Sequence, residues 1–289
     1  MEMNMPTAGT YVVAVSGGVD SVALIHALHV KPDLKLIVAH FDHGIRKDSA
    51  EDRKLVQELA QSYGLSFVFA EGKLGPKASE DKARQARYEF LRKVQKDHEA
   101  KSIITAHHQD DVLETAVINI LRGTNRKGLT ALDSHENLIR PLLNVAKKDI
   151  IDYAEAQKLT WREDSTNTDT DYLRNYVRHS LLTKFSETDR SKLIDIISKL
   201  RGTNLELDDL LAQFSPQSEL DRHDFSKLPH KVAREVMATW LRANGIANFD
   251  RRTLERLVVA GKTARVGQRF DLLGGASMVV GKQYLEIEL

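Results

Sequence analysis

The chain has 289 residues, 42% of them hydrophobic, which suffices for one large or two medium domains with a substantial core and argues against disorder. Its 42 Lys and Arg offset 41 Asp and Glu to a formal net charge of +1, so a polyanionic partner has to be argued from local patches rather than bulk charge. No cysteine is present, which excludes a disulfide framework, a thiolate zinc site, a cysteine-ligated iron–sulfur cluster and a cysteine nucleophile or persulfide carrier within this sequence.

The opening residues, MEMNMPTAGT, carry neither a basic leader nor an apolar core segment, and the longest apolar runs fall far short of the ~20 residues a membrane span needs. A soluble, cytoplasmic protein without a membrane partner is expected. YVVAV (11–15), LKLIVAH (34–40), LSFVFAEG (65–72) and SIITAH (102–107) read as strands. Between and after them DSVALIHAL, SAEDRKLVQELAQSYG, SEDKARQARYEFLRKVQKDHE and QDDVLETAVINILR repeat apolar residues at helical spacing. This alternation predicts an α/β fold, a doubly wound parallel sheet with ligands beyond the carboxyl ends of its strands. Past residue 140 come a turn and helix (RPLLNVAKKDIIDYAEAQKL), a polar stretch (WREDSTNTDTDYLRN) and helical segments to about 211. SPQSELDRHDFSKLP (215–229) reads as a connector with one or two turns of structure. A helical pair follows, then short strands closing with GGASMVVGKQYLEIEL. The expected division is 1–185, a helical linker over 186–215, and a smaller, mainly helical domain ending in short strands over 216–289.

The chemistry begins where the first strand ends, at Ser16, Gly17, Gly18, Val19, Asp20 and Ser21. A strand that runs through two glycines into a helix leaves backbone N–H groups pointing forward, with the helix dipole behind them and two hydroxyls beside them. Phosphate fits such a loop. It is neither a Walker A loop, since no lysine follows the glycines, nor a dinucleotide-binding turn. Asp20 beside phosphates is repulsive unless a divalent cation lies between, which argues for Mg²⁺; a plain strand-to-helix turn with Asp20 as a capping residue is the competing reading.

Other elements fall on the same edge. HFDHGIRKDS (40–49) follows the second strand and brings His40, Asp42, His43 and Arg46. ARQARYEFL (83–91) carries Arg84 and Arg87 on nearby faces of a helix, beside Tyr88. TAHHQDDVLET (105–115) runs from a strand into a helix start and offers His107, His108, Asp110, Asp111 and Glu114, although acids in a first turn also simply complement the dipole. LRGTNRKGL (121–129) supplies Arg122, IRPLL follows at 139–143, and WREDSTNTDTDYLRNYVR (161–178) supplies Arg174, Asn175 and Arg178.

The Ser-Gly-Gly-Val-Asp-Ser segment resembles the pyrophosphate-binding loop of the ATP pyrophosphatases, or PP-loop enzymes, which cleave ATP between its α- and β-phosphates and adenylate an oxygen of the substrate. H-F-D-H-G-I-R, A-R-x-x-R-Y, H-H-x-D-D, R-P-L-L and D-S-T-N-T-D-T-D-Y-L-R-N-Y-V-R, the last close to D-x-S-N-x-D-x-x-Y-x-R-N-x-x-R, together are similar to the tRNA(Ile)-lysidine synthase family, over residues 11 to 182. Asn125 departs from the R-G-S-G pattern common there, and the large third domain of longer relatives has no counterpart in this sequence. The resemblance implies an adenine nucleotide alpha hydrolase-like fold and a ligase using ATP and Mg²⁺. Its implied partners are free L-lysine and tRNA(Ile) with a CAU anticodon, and a homodimer is compatible with it. The catalytic candidates are Asp20, Asp111, Asp110 and His107. Phosphate contacts fall to 16–21 with Asp42, His43 and Arg46; substrate or tRNA contacts fall to Arg84, Arg87, Tyr88, Arg122, Arg174, Asn175 and Arg178; Asp20 is the metal ligand.

Two other readings share the first loop. An ammonia-dependent NAD synthetase-like ligase fits the length. It does not explain the basic runs, Arg174 to Arg201 with Lys184, Arg190, Lys192 and Lys199 among them, and Arg251 to Arg269 with Arg252, Arg256, Lys262 and Arg265. Such runs are commonly solvated helix faces, but beside a nucleotide site they suit RNA phosphates. A non-catalytic tRNA-binding relative is the third reading, opposed by the intact Ser16, Asp20 and Asp111.

Overall fold

The structure is a computed structural model and describes residues 1–44, 49–72, 80–124, 126–162, 173–214, 219–246 and 249–288. The chain divides into two compact units, Met1–Ser198 and Lys199–Leu289.

The first unit is built on five parallel strands, β1 (Gly9–Ala14), β2 (Leu34–Asp42), β3 (Ser66–Glu71), β4 (Ser102–Ile104) and β5 (Leu138–Ile139), in the order β3-β2-β1-β4-β5. Helices α1 (Val19–His29), α2 (Ser49–Ser62), α3 (Glu80–Asp97), α4 (Gln109–Leu121), the single turn α5 (Arg126–Leu129), α6 (Lys147–Ala156) and the short α7 (Leu173–Tyr176) connect and cover them. Alternate residues of each strand point to opposite faces, and here both faces are buried. Tyr11, Val13, Leu36, Val38 and Ile104 meet Leu24, Ile25 and Leu28 of α1, Val56 of α2 and Ile150 of α6 on one side. Val12, Ile37, Ala39 and Ile103 meet Tyr88, Leu91 and Val94 of α3 on the other. This double burial is why the strands read as continuous apolar runs. A third cluster joins Val112, Leu113 and Ala116 of α4 to Leu143, Val177 and Leu182.

The strand order runs outward in both directions from β1, so the switch point lies between β1 and β4, where open α/β sheets bind ligands. SIITAH was expected to be strand to residue 107, yet β4 ends at Ile104. Thr105 still donates its N–H to Ile139, after which the chain leaves the sheet and turns into α4 with His107 and His108 at the sheet edge. The two-residue β5 carries no periodic signal and is recognisable only from its pairing with β4.

After α7 a π-helical turn (Val177–Leu181) and a 3-10 turn lead to α8 (Glu187–Phe214), within which the two units divide. The second unit contains β6 (Glu219–Asp221), α9 (Arg222–Lys227), α10 (His230–Ala243), α11 (Arg251–Thr263), β7 (Arg269–Asp271), β8 (Ser277–Val280) and β9 (Tyr284–Glu288), with an antiparallel sheet ordered β6-β9-β8-β7. Ala233, Val236, Met237, Trp240 and Leu241 of α10 recur at helical spacing, and they pack with Leu257 and Val258 of α11 and Met278 and Leu285 of the sheet. The stretch expected to be a connector holds β6 and α9, the latter capped by the Asp221 carboxylate, which accepts from the Asp224 N–H at 2.9 Å. Among the described residues no helix is long and apolar enough to cross a membrane.

Candidate active site

The loop after β1 is closed from within. Gly17 has φ +98°, which a side chain would strain, and Gly18, the residue before α1, offers no side chain to the first-turn N–H groups of the helix. The Ser21 hydroxyl accepts from the N–H groups of Ser16 and Gly17, both at 3.2 Å, and donates to the Gly18 carbonyl at 2.9 Å. Ser21 is buried and organises the loop, while the Ser16 hydroxyl stands 3.2 Å from it on the exposed side. The Arg162 N–H donates to the Gly17 carbonyl at 3.1 Å, and its guanidinium binds Asp52 at 2.7 Å and also Glu51, so the loop is strapped to the start of α2.

Across the switch point stands the start of α4. His108 is its N-cap: the ring Nδ1 accepts from the Asp110 N–H at 3.3 Å, and the Asp111 carboxylate accepts from the His108 N–H at 2.9 Å. That reciprocal pairing leaves the His108 Nε2 between two carboxylates, 3.7 Å from Asp20 and 3.6 Å from Asp111. The loop acid and the helix acid therefore converge on one imidazole. Asp20 also accepts a hydrogen bond from Lys147, at 2.6 Å, from the first residue of α6.

His107 faces the cleft in a definable form. Its Nδ1 lies 2.8 Å from the Thr105 hydroxyl and 3.4 Å from the Arg140 Nε, a group that can only donate. Nδ1 is therefore the acceptor, and Nε2 carries the proton. Burial, with Arg140, Arg87 and Arg84 adding to it against Asp111, pushes the ring's pKa down to about 3. His107 is thus a neutral hydrogen-bond donor at neutral pH. Because its folded pKa lies below the ordinary value of 6.5, its contribution to stability is complete above 6.5 and is lost as pH falls from there toward 3. The loss approaches ~1.4 kcal/mol per pH unit for one group. Urea unfolding between pH 7 and 4 should accordingly show a shallower pH dependence in His107→Gln than in the parent; equal slopes would contradict the assignment.

The carboxylates differ in what they already hold. Burial pushes the Asp111 carboxyl up, but His108, His107, the His108 N–H and Arg178 together outweigh it and hold it below its ordinary value. Glu114 is fully buried, pushed up by burial, and held by Arg178 through two bonds of 2.5 and 3.0 Å, with Arg174 at 4.0 Å. Arg178 lies on the π-helical turn and stands 3.8 Å from Asp111. Asp110 pairs with Arg190 of α8 at 3.2 Å. Of the three acids left open by the sequence, Asp111 is the one that lacks a direct salt-bridge bond shorter than 3.6 Å.

Beside the glycine loop lies a cleft of about 370 Å³, lined by Ser16, Asp20, Asp42, His43, Arg87 and His107 among others; Asp110, Asp111 and Glu114 do not line it. Asp42 is buried and accepts from the Gly44 N–H at 2.8 Å. Arg84 and Arg87 flank the Tyr88 ring at 5.1 and 5.4 Å, and burial lowers the pKa of Arg87, whose Nε–H has no hydrogen-bond partner among the described residues. Arg122 is exposed at the far end of α4, about 16 Å of helix from Asp111, and is not brought to the cleft. Asn175 sits on α7 between Arg174 and the π turn. Arg46, Asn125 and residues 163–172 of the long motif lie outside the described residues. Motif matching assigned no role to Lys147, Arg162, Thr105 or Arg140.

Among the described residues no group of three or more His, Asp or Glu forms a metal cage. Mg²⁺ seldom uses one; it takes one or two carboxylates and completes its shell with phosphates and water, an arrangement that the partly exposed Asp20, in the first turn after the glycine loop, fits.

Comparison with known proteins agrees with this architecture. Residues 2–185 match the model of the PP-loop domain. Among curated proteins the chain is 33% identical over 288 residues to a tRNA(Ile)-lysidine synthase of Deinococcus deserti, covering 95% of this chain and 52% of that protein. It is 39% identical over 183 residues to a tRNA(Ile)-lysidine synthase of Geobacter sulfurreducens, covering 59% of this chain and 39% of that one. The chain thus spans about half the length of the curated relatives it matches. Among solved structures, a U34-tRNA thiolase from Methanococcus maripaludis superposes with a TM-score of 0.56 at 18% identity, over 68% of this chain and 73% of that one, and so shares the fold. With its glycine loop and facing histidine-acid helix set on the two sides of the β1/β4 switch point, the chain belongs to the PP-loop domain family.

Proposed function

We propose that the chain ligates free lysine to C2 of the wobble cytidine of tRNA(Ile) with a CAU anticodon, consuming ATP and forming lysidine, AMP and pyrophosphate. The observation that carries this reading is the convergence of Asp20 and Asp111 on His108, which joins a phosphate loop to an ionised acid suited to an ammonium. The names of the curated relatives supply the substrate class.

In the first step the C2 carbonyl oxygen of cytidine attacks the α-phosphorus of ATP. The bond from that phosphorus to the bridging oxygen breaks, and pyrophosphate leaves with the electron pair. Gly17 and Gly18 let the backbone approach the phosphates, and the α1 dipole favours their charge. Asp20 is the residue to hold Mg²⁺, which when bound neutralises charge on the phosphates. His107 offers its neutral Nε2–H to an anionic oxygen, and Arg87 brings positive charge to the cleft wall.

In the second step the ε-amine of lysine attacks C2 and the C2–oxygen bond breaks, releasing AMP. Asp111 pairs with the incoming ammonium and accepts a proton as the carbon–nitrogen bond forms. Glu114 keeps Arg178 in place beside it. Exposed arginines of α11, Arg251, Arg252 and Arg256, are suited to RNA phosphates.

Incubation with ATP, Mg²⁺, lysine and bulk tRNA, followed by mass analysis of the nucleosides, tests the reading. The expected product is a cytidine heavier by one lysine less one water, dependent on both ATP and lysine. Pyrophosphate release without that nucleoside would move the chain to another reaction of the family.

A further inference from the structure

Lys147 is the first residue of α6 and is followed by Lys148, so two cations occupy the end of the helix where its dipole disfavours them. The helix is held against α1 and the sheet by buried Ile150 and Ala154, which fixes its first turn close to the glycine loop. There the Lys147 ammonium donates to the Asp20 Oδ1 at 2.6 Å, with both side chains only partly exposed. The loop itself contains no lysine after its glycines, although a triphosphate carries more negative charge than backbone N–H groups and one carboxylate-held cation offset.

We propose that Lys147 is the cationic contact for the pyrophosphate end of ATP, supplied from α6 in place of a loop lysine. The inference rests on the ATP reading above. A divalent cation on Asp20 repels an ammonium on the same oxygen. Lys147 has a flexible four-carbon stem, and the nearest new anions would be the β- and γ-phosphates held by the same loop. Asp20 and phosphate are thus alternative partners of one ammonium, and charge stays balanced on both sides of the exchange.

The test is calorimetric binding of ATP and of AMP, in Mg²⁺, to the full chain and to its Lys147→Met and Lys147→Arg variants. Met removes the charge and keeps the stem's apolar volume. ATP should bind the Met variant roughly ten- to a hundredfold more weakly, while AMP, which lacks the pyrophosphate, binds as to the parent. Arg should recover much of the loss. Inorganic pyrophosphate should displace a fluorescent ATP analogue from the parent and much less effectively from the Met variant. An unchanged ratio of ATP to AMP affinity in Lys147→Met, or an equal loss of both, would overturn the proposal and leave a structural ion pair. A parent that binds neither nucleotide would instead remove the ATP reading on which it stands.

Discussion

Asp20→Ala should keep the fold and lower tRNA-dependent pyrophosphate release by about a thousandfold, since a lost metal bridge removes several kcal/mol of transition-state stabilisation and each ~1.4 kcal/mol is a factor of ten. The fold is expected to survive because Asp20 is partly exposed and lies in the first turn of α1, where Ala is compatible with helix. The hydroxyl network that shapes the loop runs through Ser16 and Ser21 and does not involve the Asp20 carboxylate. Lys147 loses its partner but is itself partly exposed and can be rehydrated. Far-UV circular dichroism and thermal midpoint should thus stay near the parent while the pyrophosphate assay falls to background. Asp20→Asn should fall nearly as far, because the neutral amide is a poor Mg²⁺ ligand. Near-parental pyrophosphate release by either variant would remove Asp20 from the metal role.

The sheet and the glycine loop between β1 and α1 are legible in the sequence because their signals are local. Residues 11–15 and 34–40 are apolar in unbroken runs, as two-sided burial requires, and the glycine pair sits where a strand must turn into a helix. His107, His108, Asp110 and Asp111 were legible as a group for the same reason. Their separate conditions were not, because each depends on a distant partner: Arg190 on Asp110, Arg178 on Glu114, Arg140 on His107. Lys147 and Arg162 lie 127 and 110 residues from the acids they bind, and no periodicity links such positions. The π-helical turn that places Arg178 is invisible to a search for helical spacing. Arg122 is a candidate substrate or tRNA contact through the resemblance of its loop to the family pattern, and its place just past the end of α4 sets it about 16 Å of helix from Asp111.

Asp111→Asn should separate the two chemical steps. Asparagine retains an oxygen able to accept the His108 N–H, so the α4 cap persists, and Glu114 keeps Arg178 in place through bonds that do not involve residue 111. What is lost is the negative charge. Free lysine brings an ammonium of pKa about 10.4, some six units above an ordinary carboxyl, and Asp111 is held lower still by its neighbours. It is therefore a strong partner for the ammonium and a weak base toward it. The ammonium has no lone pair, so it must give up one proton before or as its nitrogen attacks C2, and the large pKa difference from Asp111 keeps the free amine a small fraction. Once the carbon–nitrogen bond forms, the attached nitrogen's remaining protons are far more acidic and Asp111 accepts one readily. Two consequences follow for the variant. The KM for lysine should rise by at least about tenfold, the scale of a lost charge-assisted bond, and lysine transfer should slow, while tRNA-dependent pyrophosphate release continues. Adenylated tRNA then accumulates, or AMP appears without lysidine as water takes the place of the amine. Lysidine formation with parental lysine dependence would exclude Asp111 from the lysine site. Equal loss of pyrophosphate release and of lysine transfer would place it in the first step, beside Asp20, as a second carboxylate for the metal.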